Sequence, residues 1–362
     1  MSPFLAAIFL FSLDVANAIN FTTVYEWDKF DFIWPSGADT SIGQIKDEYK
    51  PGNVYLDYMA IFGERLFISH DMGFPGIPAS LVWLPTSGTS TAPPKLAPFP
   101  SWEFHKKDMC ESIQKAKGME MDADGRLWVP DDGNGRCRPK LWIFDLVNND
   151  TTERVHQFPD TVISGSRYLR DIVLDKSPDD SLAYIADSYS EHLIVYSRKM
   201  DKSWSVKTPG RKWESLALSP NRGARKLYLG RYGSREMYSV SVSELKNGGG
   251  SAAAVNFIGK WTEYPYRMLI DCANVLYAAF RYENYVSKWN ISEPFLEQRF
   301  YEVGELGALW PFTFALDTNG TFWMTQRNEA KGWSKSRHKL LKAAVGARSY
   351  LFDTSTDLKL RG

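Results

Sequence analysis

The chain has 362 residues, 44% of them hydrophobic and 14% aromatic, enough for a large core. Its 43 basic and 43 acidic residues cancel, which excludes the general positive field of a nucleic-acid-binding surface. A chain of this length has room for two domains, but all-β architectures often run this long as one.

Reading from the start, Phe4–Leu13 is a short apolar block followed by Ala16-Asn17-Ala18, a small-x-small cleavage pattern. Residues 1–18 are therefore expected to be a secretory signal peptide, leaving 19–362 as the mature protein. The block is too short to span a membrane, and no later run is longer. A secreted, extracellular protein without a membrane span is expected.

Next comes a phrase that repeats. Two apolar, alternating runs flank a polar turn, and the second run carries an aromatic residue near its start. The copies begin at Met59, Met119, Ile172, Leu216, Leu269 and Phe314. The clearest are Met119-Glu-Met-Asp-Ala-Asp-Gly-Arg-Leu-Trp-Val129 and Phe314-Ala-Leu-Asp-Thr-Asn-Gly-Thr-Phe-Trp-Met324. Period-two runs around turn residues are β-hairpins. Hairpins recurring every 45–60 residues or so match one four-stranded blade each. The expected fold is all-β: a six-bladed β-propeller of four-stranded blades around a central channel, with a C-terminal extension.

Between the copies, the Pro/Ser/Thr-rich stretch 85–100 reads as an irregular surface crossing, and Asn247–Ser251 as a loop tip. Short helical turns are expected at 106–117 and 337–345. Val24–Trp27 and Tyr350–Phe352 read as strand-like runs outside the hairpins, one or both closing the ring.

Three cysteines remain, Cys110, Cys137 and Cys272. Cys110 and Cys137 flank a hairpin, which returns the chain close to where it began, so they are the natural pair. Cys272 is expected to be a buried free thiol. Sequons at Asn20, Asn149, Asn290 and Asn319 are candidate glycosylation sites.

Extended motifs then point to a family. They include Trp27-Asp-Lys-Phe-Asp-Phe-Ile-Trp-Pro-Ser36, Leu96-Ala-Pro-Phe-Pro-Ser-Trp102, Gly125-Arg-Leu-Trp-Val-Pro-Asp131, Leu169-Arg-Asp-Ile-Val-Leu-Asp175 and Glu214-Ser-Leu-Ala-Leu-Ser-Pro220. In order and spacing these resemble the yellow / major royal jelly protein family of secreted arthropod proteins, from the start of the mature chain to about residue 328. The resemblance implies a six-bladed propeller. For function it implies binding of a small aromatic or biogenic-amine ligand, or alternatively dopachrome conversion by an isomerase-type enzyme of the melanin pathway. The chain departs from the family at Asp124, where a Cys is usual, and in the last blade, Trp310–Phe314 and Met324–Arg327. Amine binders of the family use a hydroxyl and an amide there. Thr313 fills the first part, and Gln326 the second if a one-residue gap is allowed.

The candidate ligand residues at the channel mouth are Asp131, Tyr168, Arg170, Asp171, Phe312, Thr313, Gln326 and Arg327. Carboxylates at inner-strand ends clamp an amine or serve as a base, and aromatics just before strand ends supply walls. Taken singly, each Asp is more readily a turn cap, and Arg170–Asp171 part of an ion-pair network; as a ring, one or two of them are expected to contact ligand. If the arginines face one cavity, a carboxylate-bearing ligand is favoured; if they point away, an amine is. The five histidines form no metal-binding pattern, and no cofactor motif occurs. A metal-dependent lactonase, chemistry that other six-bladed propellers perform, is the remaining alternative.

Overall fold

The computed structural model describes residues 19–352 apart from 37–39, 71, 73, 88–91, 108, 164, 166, 178, 221–223, 247–251, 281–282, 303–308 and 329–336. The signal-peptide stretch 1–18 and the 247–251 loop tip lie outside the described residues.

After an N-terminal strand β1 (Thr22–Trp27) and a helix α1 (Thr40–Glu48), the chain lays down six antiparallel sheets in succession. The first holds β2 (Leu56–Phe62), β3 (Arg65–His70), β4 (Leu81–Pro85) and β5 (Ala97–Pro98). The second holds β6 (Glu120–Met121), β7 (Arg126–Asp131), β8 (Lys140–Asp145) and β9 (Thr151–Gln157). The third holds β10 (Leu169–Lys176), β11 (Ser181–Asp187), β12 (His192–Ser197) and β13 (Lys202–Lys207). The fourth holds β14 (Trp213–Leu218), β15 (Lys226–Arg231), β16 (Glu236–Ser241) and, after a short helix α2 (Val242–Lys246), β17 (Asn256–Lys260). The fifth holds β18 (Pro265–Ile270), β19 (Val275–Phe280), β20 (Tyr285–Asn290) and β21 (Gln298–Glu302). The sixth joins β22 (Leu309–Leu316), β23 (Thr321–Asn328) and β24 (Arg337–Ala344) to β1. The first strand of each set packs beside the first strands of its neighbours and rings the axis. The protein is a six-bladed β-propeller, and the six repeated hairpins are its inner strand pairs.

The repeated phrase has a physical cause beyond turn propensity. In three blades the Asp that opens the turn uses both oxygens. Asp122 Oδ1 accepts from the amides of Asp124 and Arg126, each at 2.9 Å, while Oδ2 accepts from Trp128 Nε1 at 3.0 Å. Asp271 does the same with Ala273, Val275 and the hydroxyl of Tyr277. Asp317 does it with Asn319, Thr321 and Trp323 Nε1. One carboxylate thus closes the turn and fixes the aromatic six residues on, so Asp and a donor-bearing aromatic recur together. In the third blade Asp175 takes the Tyr184 hydroxyl at 3.0 Å. Gly125 and Gly320 complete two of these turns at φ +83° and +76°, a region that favours glycine.

Ring closure falls to the N-terminal strand. β1 pairs with β24 from Thr22↔Lys342 to Trp27↔His338, and Tyr25, Trp27, Ala315, Trp323 and Leu340 pack with Leu56, Met59 and Ile61 of the first blade. The expected helix at 337–345 is therefore a strand: it has the edge of β23 on one side and β1 on the other, and pairing overrides local helix propensity. Tyr350–Phe352 is a 3₁₀ turn rather than a closing strand; Tyr350 is buried and donates to the Leu174 carbonyl at 2.8 Å. Residues 106–117 form turns rather than a helix, and the 3₁₀ turn lies just before them at Trp102–His105. The stretch 85–100 is less irregular than expected. β5 lies inside it, with Pro98 tolerated because the strand is the blade's outer edge.

Cys110 and Cys137 form a disulfide with Cα atoms 5.1 Å apart, tying the 106–117 turns to the loop after β7. Cys272 is free, as expected, but half-buried in the β18–β19 turn rather than fully buried. Asn20, Asn149 and Asn319 are exposed and Asn290 is partly so.

Candidate channel-mouth site

The six inner strands share one irregularity. Near its N-terminal end each slips by one residue against its partner: between Leu56 and Met59, Ala116 and Glu120, Leu169 and Ile172, Trp213 and Ser215, Pro265 and Arg267, and Pro311 and Phe314. An extra residue in one strand is a β-bulge, which re-aims side chains and commonly lies beside functional sites. All six bulges fall at the same end of the ring, so they define one rim of the channel.

The bulges carry polar residues: Asp57 and Tyr58 from the first blade, Lys117 from the second, Arg170 and Asp171 from the third, Glu214 from the fourth, Tyr266 and its neighbour Arg267 from the fifth, and Thr313 from the sixth. All are buried. Arg170 Nη2 pairs with Glu214, and Arg267 Nη1 with Asp171. Lys117 Nζ lies 3.7 Å from Asp57 Oδ2 and 4.5 Å from the centre of the Tyr168 ring. Arg170 also lies over Tyr168, at 4.9 Å, and Tyr168 stacks on the exposed ring of Tyr189 at 5.5 Å. Arg267 sits 5.4 Å from the Tyr58 ring. Three carboxylates face three cations, so the ring is close to neutral.

Burial raises the Asp171 carboxyl, with Arg267 and the Leu216 amide opposing. Burial also works against the Arg267 charge, but Asp171, Glu120 and Tyr58 outweigh it and hold the guanidinium above its ordinary value. Tyr58 is pushed well up by burial and keeps its proton. Several rim atoms have no hydrogen-bond partner among the described residues: Tyr58 Oη, Thr313 Oγ1, Asp57 Oδ2, and Nε of Arg170 and Arg267.

Below the rim the channel narrows to a cavity of about 30 Å³, lined by Glu120, Arg267, Met268 and Tyr350 among others. Burial raises the Glu120 carboxyl to about 7, with Arg267 pulling it down and Asp171 pushing it up. Tyr350 and Phe352 line the far end of this cavity. Only a water-sized molecule fits inside, so a larger ligand has to sit above the rim.

The sequence-derived candidates divide accordingly. Tyr168, Arg170, Asp171 and Thr313 are at the rim. Asp131 is not: its Oδ1 accepts from the Lys115 and Gly133 amides at 2.8 and 2.9 Å, and its Oδ2 from the Gln114 amide and Trp142 Nε1 at 3.0 and 3.2 Å. Gln326 and Arg327, adjacent on β23, face opposite neighbours as strand alternation requires. Gln326 donates to the Tyr301 hydroxyl at 2.7 Å, toward the fifth blade. Arg327 lies 3.6 Å from the Tyr55 ring, toward the first. The side chain of Phe312 lies outside the described residues. Arg170 faces the mouth but is paired with Glu214, and Arg327 is turned onto Tyr55.

Asp57, Tyr58, Lys117, Glu120, Glu214 and Arg267 were not among the candidates. A signal for them exists: in most blades the polar rim residues stand just before the apolar run that opens the repeated hairpin. Aligning the six copies backwards from the turn would have found them.

Comparison with known proteins agrees with this architecture. The family model for major royal jelly protein matches residues 115–215, the stretch holding Lys117, Glu120, Arg170, Asp171 and Glu214. Protein yellow of Drosophila subobscura is 27% identical over 343 residues, covering 83% of this chain and 60% of its own length. Protein yellow of Drosophila melanogaster is 26% identical over 344 residues, covering 83% and 63%. The chain spans about three-fifths of the length of the curated relatives it matches. Among solved structures, a luciferin-regenerating enzyme superposes with a TM-score of 0.54 at 11% identity, over 83% of this chain and 94% of that one. A gluconolactonase from Xanthomonas campestris gives 0.52 at 12% identity, over 80% and 86%. At such identities the structural likeness is one of fold.

Fold and rim together define a propeller with a polar-ringed channel mouth. The sequence matches are more specific: over residues 115–215 the chain matches the major royal jelly protein model, and over most of its length it is similar to the yellow proteins.

Proposed function

We propose that this is a secreted binding protein for a small aromatic or biogenic-amine ligand, held at the rim of the channel. The observation that carries this reading is the coincidence of six bulges at one end of the ring, with partnerless polar atoms left there. Preformed pockets with a few convergent polar groups and aromatic walls are how proteins hold such molecules. Asp57 Oδ2, 3.7 Å from Lys117 Nζ and without a hydrogen bond among the described residues, is the acceptor for an ammonium. The Tyr58 and Thr313 hydroxyls meet ring hydroxyls, and the Tyr168–Tyr189 stack supplies a wall. Because the ring's charges balance, selectivity rests on these hydrogen bonds rather than on net charge. The disulfide fits an oxidising compartment, consistent with secretion.

Calorimetric titration with serotonin, dopamine and octopamine tests the reading. Asp57→Asn and Tyr58→Phe should each weaken the best ligand by roughly tenfold, the scale of one charged or buried hydrogen bond. Gln326→Ala should change affinity little, since Gln326 faces Tyr301. Folded rim variants that keep full affinity for every amine the parent binds would place the site elsewhere.

A second reading, dopachrome conversion, is favoured by Glu120. A carboxyl held near pH 7 just below the rim both takes and gives a proton at neutral pH, and isomerisation needs only that a proton move within one molecule. Glu120→Gln should then abolish turnover of dopachrome while leaving its binding intact. The lactonase reading has only the fold likeness behind it. Asp171 and Glu214, the carboxylates such an enzyme would turn to a metal, are held by arginines, and among the described residues no three His, Cys, Asp or Glu are grouped to hold one.

A further inference from the structure

A larger opening lies off the axis. Between the first two blades, on the same end of the ring as the rim, a cleft of about 430 Å³ opens beside the disulfide-braced turns. That volume lies in the range of small-molecule pockets, whereas the channel cavity of about 30 Å³ does not. Its walls include Met72, Phe74, Ile77 and Ile113, with Pro75 and Pro78 stiffening one side. Phe74 is exposed and stacks on Tyr55 at 4.7 Å, an orientation of 15°. Arg327 covers Tyr55 at 3.6 Å, and two layers cannot share one ring face, so Phe74 is fixed from behind.

The polar lining is asymmetric. Gln114 is committed: its amide nitrogen, Nε2, donates to the Lys106 and Met109 carbonyls at 3.1 and 2.9 Å, and its Oε1 accepts from Asn134 at 2.8 Å. Lys107 and Lys115 also line the cleft, neither is ion-paired among the described residues, and no acidic side chain appears in the described lining. The cleft therefore combines an apolar wall, a rigid aromatic and two ammonium groups.

We propose that this cleft is a second ligand site, distinct from the channel rim, that takes a small apolar molecule bearing an anionic group. The apolar body lies against Phe74, Ile77 and Ile113, and the anion meets Lys107 and Lys115. The disulfide holds the Lys107–Lys115 turns against the second blade, so the two ammonium groups keep their places when the site fills.

The test is titration of the whole protein with 2-naphthylacetate and its neutral amide. The carboxylate should bind at least tenfold more tightly than the amide, and less tightly as salt rises. Lys107→Ala with Lys115→Ala, the first exposed and the second half-buried, should remove the preference and leave amide binding unchanged. Phe74→Ala should weaken both probes alike, and Tyr168→Ala at the rim should leave the carboxylate affinity unchanged. The proposal is overturned if the lysine pair can be removed without loss of carboxylate affinity. It is equally overturned if the amide binds as tightly as the carboxylate, if only Tyr168→Ala reduces carboxylate binding, or if neither probe binds at millimolar concentration.

Discussion

Asp131 shows how one residue type serves two ends. Four donors converge on its two oxygens, from the Gln114, Lys115 and Gly133 amides and from Trp142. Asparagine at this position keeps one acceptor oxygen and turns an NH₂ toward the remaining donors. Asp131→Asn should therefore destabilise by about 2–3 kcal/mol in denaturant titration, by orphaning buried donors. Glu120 makes the opposite case. Its carboxyl is raised to about 7 from an ordinary 4.5. A raised carboxyl is at no disadvantage below pH 4.5, and stability is lost as pH climbs through 7, when the buried group must ionise. Glu120→Gln should be more stable than its parent by about 1–3 kcal/mol at pH 8, with the gap closing below pH 4.5. Nothing in the local sequence separates these two acids. Asp131 stands at a strand end like the rim carboxylates Asp171 and Glu214, and only the neighbouring chain decides which acids are saturated.

At the scale of elements, the inner hairpins were readable because the Asp–aromatic link writes itself into the sequence: Asp122 with Trp128, Asp271 with Tyr277, Asp317 with Trp323. The bulges were not readable, because one extra residue leaves no composition signal and shows only against the partner strand. That is why Arg170 and Asp171 stand out as a charged pair while Glu214 and Arg267, lone charges in other blades, show only when the six copies are aligned. β24 was misread for a related reason: its pattern suits a helix, and only two flanking strands make it extended. The disulfide belongs to this scale too. It closes a loop of 27 residues, for which about 3 kcal/mol of stabilisation is expected. Cys110→Ala with Cys137→Ala should lower the denaturation midpoint accordingly, and should also blunt the carboxylate preference of the off-axis cleft, whose lysines lie in the turns it anchors.

For the whole molecule, the buried histidines set the acid limit. Burial lowers His70 and His105 to about 4, and burial with Arg327 nearby lowers His338 to about 3. All three are buried, and His70 lies close enough to His105 and to His338 for their charges to repel. A depressed histidine leaves stability intact above its unfolded value near 6.5; as pH falls the unfolded chain takes up protons that the folded one refuses. Stability should drop steeply between pH 6.5 and 4, by up to about 3 kcal/mol per histidine. Glu120 works the other way over the same window and offsets part of the fall. Guanidinium melts at half-unit steps of pH give the slope, and His105→Gln should reduce it by about one proton. A protein equally stable at pH 7 and 4.5 would contradict these burials.

The closure of the last blade has a consequence in time. Thr22 and Lys342 are 320 positions apart, yet they lie side by side in one sheet. Translation delivers about 5–20 residues per second, so the first strand waits roughly 15–60 seconds for its partner to be made. Five blades have every strand they need before that moment, and the sixth does not. The ring is thus a clasp fastened last by the piece that was made first, and until it fastens the newborn chain carries an open β-edge at each end.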